Sequence, residues 1–312
     1  MLAALFAALA LLATGQTSPE TAPQTAPQPG SQADPSATQL PEVVVDGRRP
    51  REAATEFVEE IGAAPMGAQT ARWNGPICVS VSNVRAPFGQ YLVDHVSAEA
   101  AALGLDVGEP GCEPNVIIMA TQDGRAMARH LVSEAGVGFR PTDGPTNPSR
   151  AALREFQDSD APVRWWHVSM PVGEDFGELA VRLRGSEAPT LNVHAGSRLT
   201  SSIRYDIGWV IIVVDMNRTK GVPLGTVADY VSMVALAQID PDADLKAFDT
   251  VLNVFDNPNQ GPGLSNWDQD YLKALYTTRN NRMNQRQRQG ELIDSLVHNQ
   301  GAQIAKASDA GE

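Results

Sequence analysis

The sequence predicts an α+β domain in which a mixed sheet is covered by helices. Three observations carry this reading. Apolar runs of strand length crowd the first two thirds of the chain, a segment apolar almost all round (227–239) follows them, and the remainder shows helical spacing without further strands. With 312 residues, 42% of them hydrophobic, the chain can bury a large core. The expected divisions are a signal peptide at 1–15, a linker at 16–70, an α+β domain at 71–285, and a C-terminal helix and tail at 286–312.

Residues 1–13 (MLAALFAALALLA) carry no charge and are too few to span a bilayer, which needs about 20 apolar residues. They fit the apolar core of a secretory signal, with Ala13 and Gly15 as small residues before Gln16, although the usual basic start is missing. Residues 16–41 hold six prolines among Gln, Thr, Ser and Ala, a composition expected to remain an extended linker. LPEVVVDGRRPRE (40–52) joins a short apolar run to Arg48, Arg49 and Arg51, and reads as a tether or as a peptide that adds a strand to a partner's sheet. A short helix over 52–63 carries Phe57, Val58 and Ile61 on one face.

From Trp73 the elements follow in order. Ile77–Val84 alternates apolar and polar residues as a half-buried strand does, and 90–103 has helical spacing up to Gly104. NVIIMAT (115–121) is a continuous apolar run suited to a sheet centre, followed by the Asp123-Gly124 turn and a helix over 126–134. A short helix at 151–156 precedes strands at 163–171, 180–183 and 191–194. Residues 203–205 and 209–215 read as two arms of a hairpin turning at Asp206–Gly208. Helices are expected at 227–239, 248–255, 265–277 and 284–306, the third capped by Ser265 with acids in its first turn. Arg279, Arg282, Arg286 and Arg288 read as a solvated helix face.

Charge and motifs exclude several function classes. A formal net charge of −13 disfavours nucleic acid as a partner. The two cysteines are too few for a multi-cysteine metal centre. In an exported chain, Cys78 and Cys112 flank one strand–helix–strand unit and are expected to form a disulfide. The five histidines, His95, His130, His167, His194 and His298, include no i,i+4 pair, so H-E-x-x-H is absent. G-x-S-x-G, the phosphate-binding P-loop and G-x-G-x-x-G are absent too. Asp240, Asp242 and Asp244 open like a calcium loop, but Leu245 and Val251 stand where it needs glycine and glutamate, leaving a helix stop and cap as their role. No metal or cofactor is expected. Of Trp165 and Trp166, adjacent on a strand, one is expected in the core and the other beside a groove or at the surface.

The order of elements, with Gly263-Leu264-Ser265-Asn266-Trp267-Asp268 and Tyr271-Leu272-Lys273-Ala274-Leu275-Tyr276, resembles a zincin-type metallopeptidase scaffold. More closely it resembles uncharacterised exported alphaproteobacterial proteins in which such a G-L-[ST]-x-W-D segment follows a buried helix. In zincins that helix carries H-E-x-x-H, and the matching register places Tyr230, Val231 and Val234 on the two ligand positions and the general base. The resemblance therefore implies a zincin-like mixed sheet with a degenerate metal site. The expected function is a periplasmic or secreted binding protein without catalysis. Its partner would be a protein of the cell envelope, with no membrane span after signal removal. The alternatives are an envelope adaptor docking through 40–52 or its C-terminal helix, and a hydrolase using His167 or His194 with Asp206 or Asp215.

Overall fold

The computed structural model describes residues 49–64, 68–136, 138–139, 148–180, 189–191, 198–257 and 263–309, with side chains as far as 302. The signal, residues 40–48 of the 40–52 peptide, and all but Ala180 and Leu191 of the strands expected at 180–183 and 191–194 lie outside these residues. The described residues belong to one compact unit, mixed α+β.

The sheet has four strands, β1 (Val79–Ser82), β2 (Val116–Thr121), β3 (Val163–Gly173) and β4 (Ile203–Asp215), in the order β1-β2-β4-β3. β1, β2 and β4 run parallel, while β3 is antiparallel to β4 and forms one border. The central pair β2 and β4 owes its position to VIIMAT and WVIIVVD, runs that can be buried on both faces.

The helices are α1 (Pro50–Ile61), α2 (Ala86–Ala102), α3 (Gly124–Glu134), α4 (Arg150–Asp158), α5 (Leu224–Leu236), α6 (Asn266–Thr277) and α7 (Gln285–Asp309). They cover both sheet faces. On one face Val116, Ile118, Val210, Ile212, Val214 and Trp165 join a core with α1, α2, α5, α6 and α7. On the other, Ile211, Val213 and Trp166 pack against Ala128 of α3, Phe139 and Phe156 of α4. The strand pleat thus sends Trp165 and Trp166 into two separate cores, and neither reaches the surface.

Several expectations change. Residues 203–215 make a single strand rather than a hairpin. Val168 pairs with Trp209 while Ser169 pairs with Ile207, so Gly208 is an extra residue in β4, a bulge where the sequence suggests a turn. The folded unit also exceeds 71–285. Ala54, Phe57, Val58 and Ile61 of α1 and Leu292, Ile293 and Leu296 of α7 belong to the main core. The Phe57 ring meets Phe248, Trp267 and Tyr271 edge-on at 5.1, 5.3 and 5.4 Å.

The helix expected at 248–255 reduces to one 3-10 turn, Val251–Asn253. Asn253 spends its amide on the carbonyls of Leu245 and Phe248, a side-chain alternative to helical bonding. Arg288 is buried rather than solvated. It donates to the Arg279 carbonyl at 3.2 Å, and burial lowers its guanidinium to about 10.

Cys78 and Cys112 form a disulfide across the β1–α2–β2 unit, with their Cα atoms 6.0 Å apart. Ser265 begins α6 in a capping box with Asp268, as its sequence indicates. Among the described residues no helix is long and apolar enough to cross a membrane. The disulfide is compatible with an extracytoplasmic protein.

Candidate functional site

The border strand β3 carries Val163-Arg164-Trp165-Trp166-His167. Asp215 donates its N–H to the Pro162 carbonyl at 2.8 Å, which fixes the phase of the antiparallel ladder. Alternate residues therefore turn their main-chain groups toward β4, and those of Val163, Trp165 and His167 turn away from it. Further along, that outer side is occupied. Ala180 donates to Pro171 at 2.9 Å, and Gly173 donates to Glu178 at 2.8 Å.

Beside 163–167 lies a cavity of about 440 Å³, lined on one flank by Phe156 and on the other by Gly62, Tyr230 and Ile239. Five consecutive residues of β3 line it, so its wall is the strand's edge rather than either face. The exposed Glu155 and the half-buried Asp240 make its rim acidic.

The side chains of this strand secure the end of α5. His167 Nε2 lies 2.9 Å from the Val234 carbonyl, which can only accept, so Nε2 carries the proton. Trp73 Nε1 donates to Ala235 at 2.8 Å, and Tyr276 donates its hydroxyl to Leu236 at 2.5 Å. Three of the carbonyls that a helix C-terminus leaves unpaired are thereby satisfied from three distant segments. Trp165 Nε1 donates to Ile239, in the turn after the helix, at 3.0 Å. Burial depresses His167 from 6.5 to about 4, so the ring is neutral at physiological pH.

On α5 itself, Tyr230 is buried, its ring edge-on to Phe255 at 4.9 Å and to Trp165 at 6.2 Å. Burial holds its phenol well above the usual range. Val231 and Val234 are core residues with no exposed surface.

The ligand-type side chain of this helix is its neighbour Asp229. Its Oδ1 accepts from His95 Nε2 of α2 at 2.7 Å, and Glu99 follows one turn later on α2. One ligand atom from each of these three residues lies within 4.8 Å of the others. In the sequence this group is marked by the His95-x-x-x-Glu99 spacing, a histidine–carboxylate pair rather than a pair of histidines.

Among the described residues, the histidine and aspartates expected for hydrolysis, His167, Asp206 and Asp215, do not converge. The Asp215 carboxylate accepts from the N–H groups of Gly124 at 2.9 Å and Asn217 at 3.0 Å, at the end of β4, while His167 points to α5. Asp206 is held by Arg204 at 3.0 Å and Asn74 at 2.5 Å. His194 lies outside the described residues. Comparison with protein-family models, curated proteins and solved structures finds no match for the chain.

Proposed function

We propose that this is an exported, non-catalytic binding protein that takes up an extended segment of a partner protein as an additional strand beside β3. The observation that supports it is the border at 163–167, which pairs with no further strand among the described residues and whose outward main-chain groups meet a cavity with apolar flanks. A segment added there would place alternate apolar side chains against Tyr230 and Ile239 on one flank and Phe156 on the other. Glu155, Asp240 and the overall charge of −13 favour Lys or Arg at its ends. Residues 40–49 of this chain, LPEVVVDGRR, have that chemistry and are a natural probe. The disulfide and the apolar first 13 residues support a periplasmic or secreted setting. The reading keeps α5 as part of a metallopeptidase-like scaffold whose own zinc positions, Tyr230, Val231 and Val234, have lost their ligands.

The test is a titration of a synthetic 40–49 peptide into the full chain and into a chain lacking residues 1–48, followed by tryptophan fluorescence. Saturable binding is expected, at least tenfold weaker for a peptide N-methylated at alternate residues, because methylation removes the donors of an added strand. Binding that is absent, or indifferent to methylation, defeats the proposal. Tighter binding to the shortened chain would identify the protein's own segment as a competitor for the edge.

A further inference from the structure

We propose that His95, Glu99 and Asp229 form a site for a divalent transition-metal ion, with zinc as the matching class. The site is separate from the border of β3 and from the positions of Tyr230, Val231 and Val234. His95 and Glu99 are four residues apart on α2 and share one face of that helix. Asp229 meets them from α5, with its side chain only 11% exposed. One nitrogen and two carboxylate oxygens thus lie within 4.8 Å of one another.

Two features argue for an ion rather than an ordinary histidine–aspartate pair. The Glu99 carboxylate makes no hydrogen bond or ion pair among the described residues, although it sits beside a second carboxylate. Glu99 and Asp229 also line a cavity of about 600 Å³ that extends to Leu264, Lys273 and Tyr276, so a bound ion would keep an open coordination position for water or an incoming group. The imidazole selects the ion. Calcium and magnesium favour all-oxygen shells, whereas a nitrogen with two carboxylates suits zinc and its neighbours.

Gathering the three ligand atoms, now within 4.8 Å of one another, onto one ion requires movement of up to about 1.5 Å, within the reach of the Glu99 side chain. Two ligand atoms about 2.0–2.1 Å from a tetrahedral ion are roughly 3.3 Å apart. The His95–Asp229 contact of 2.7 Å needs to open only by about half an ångström. His95 would bind through the Nε2 lone pair after its proton moves to Nδ1, and the ring is already oriented by stacking on Tyr91 at 5.7 Å. The ion would join α2 to α5.

The experiment is calorimetric titration of zinc into the chelator-treated full chain at pH 7.5, with metal analysis after dialysis and cobalt absorption as a readout of coordination. One ion per chain is expected, with cobalt bands of tetrahedral strength. Glu99→Gln should weaken binding at least tenfold without lowering the metal-free unfolding midpoint, since the Glu99 carboxylate has no hydrogen-bond or ion-pair partner among the described residues. Asp229→Asn should abolish the cobalt bands, and Glu134→Gln on α3 should change nothing. Absence of stoichiometric zinc would overturn the proposal. So would zinc binding unaffected by both site substitutions, which would place the ion elsewhere. Repeating the peptide titration in chelator separates this result from the strand-edge reading, which needs no ion.

Discussion

Acidification isolates what His167 contributes. Its ring is buried and neutral, with Nε2–H committed to the Val234 carbonyl and its pKa depressed to about 4. Above pH 6.5 the ring is neutral in folded and unfolded chains alike and adds no pH dependence. Between 6.5 and 4 the unfolded chain takes up a proton that the folded chain refuses, so stability is lost as pH falls. The gap corresponds to roughly 3 kcal/mol in full, and to about 2.5 kcal/mol by pH 4.5. Carboxylates titrate over the same range, so the comparison needs His167→Gln, which keeps a donor for Val234 but cannot ionise. Urea unfolding of both proteins from pH 7.5 to 4.5 measures the difference. The stability advantage of the native chain over the variant should shrink by about 2.5 kcal/mol across that range. A difference that stays flat would mean that the ring is reached by water or charges in place, and would refute the buried-donor account.

Two further outcomes concern the framework. Replacing Cys78 and Cys112 together with serine removes a cross-link spanning 34 residues and should cost roughly 3–4 kcal/mol, read as a lower unfolding midpoint that reductant no longer changes. Asp268→Ala should cost on the order of 3 kcal/mol by chemical denaturation, because the buried carboxylate accepts from Thr250 at 2.5 Å, Val251 at 2.8 Å and Ser265 at 3.0 Å. Asp268→Asn retains one acceptor oxygen and should cost less.

Where local chemistry is strong, the chain declares its structure. NVIIMAT has no polar side chain inside its strand until its last residue, so it could only become a central strand or a buried helix, and its length selects the strand. Ser265 with Asp268 announces a helix start by the bonds those two side chains can make. Other features depend on what arrives from far away. Gly208 permits a turn or a bulge, and the choice falls to the bulge because β2 and β3 together hold 203–215 in one strand. Arg288 looks solvated from its basic neighbours, yet the packing of α6 against α7 buries it. Helix α1 follows a proline-rich tract and reads as part of it until Phe57 finds its aromatic partners, Phe248, Trp267 and Tyr271, far along the chain. The candidate sites divide the same way. His95 and Glu99 are a local pair visible in the sequence, but Asp229 joins them only through tertiary packing, and the open stretch of the β3 border at 163–167 exists only once the sheet has been ordered.

The last turn of α5 is completed by donors at sequence separations of 162, 67 and 40 residues. A helix whose closing bonds come from so far cannot finish early as the chain folds. It is the keystone that seats only when the arch on either side is standing, so the indole N–H of Trp73, which donates to it, should be among the last protons to gain protection from solvent exchange during refolding.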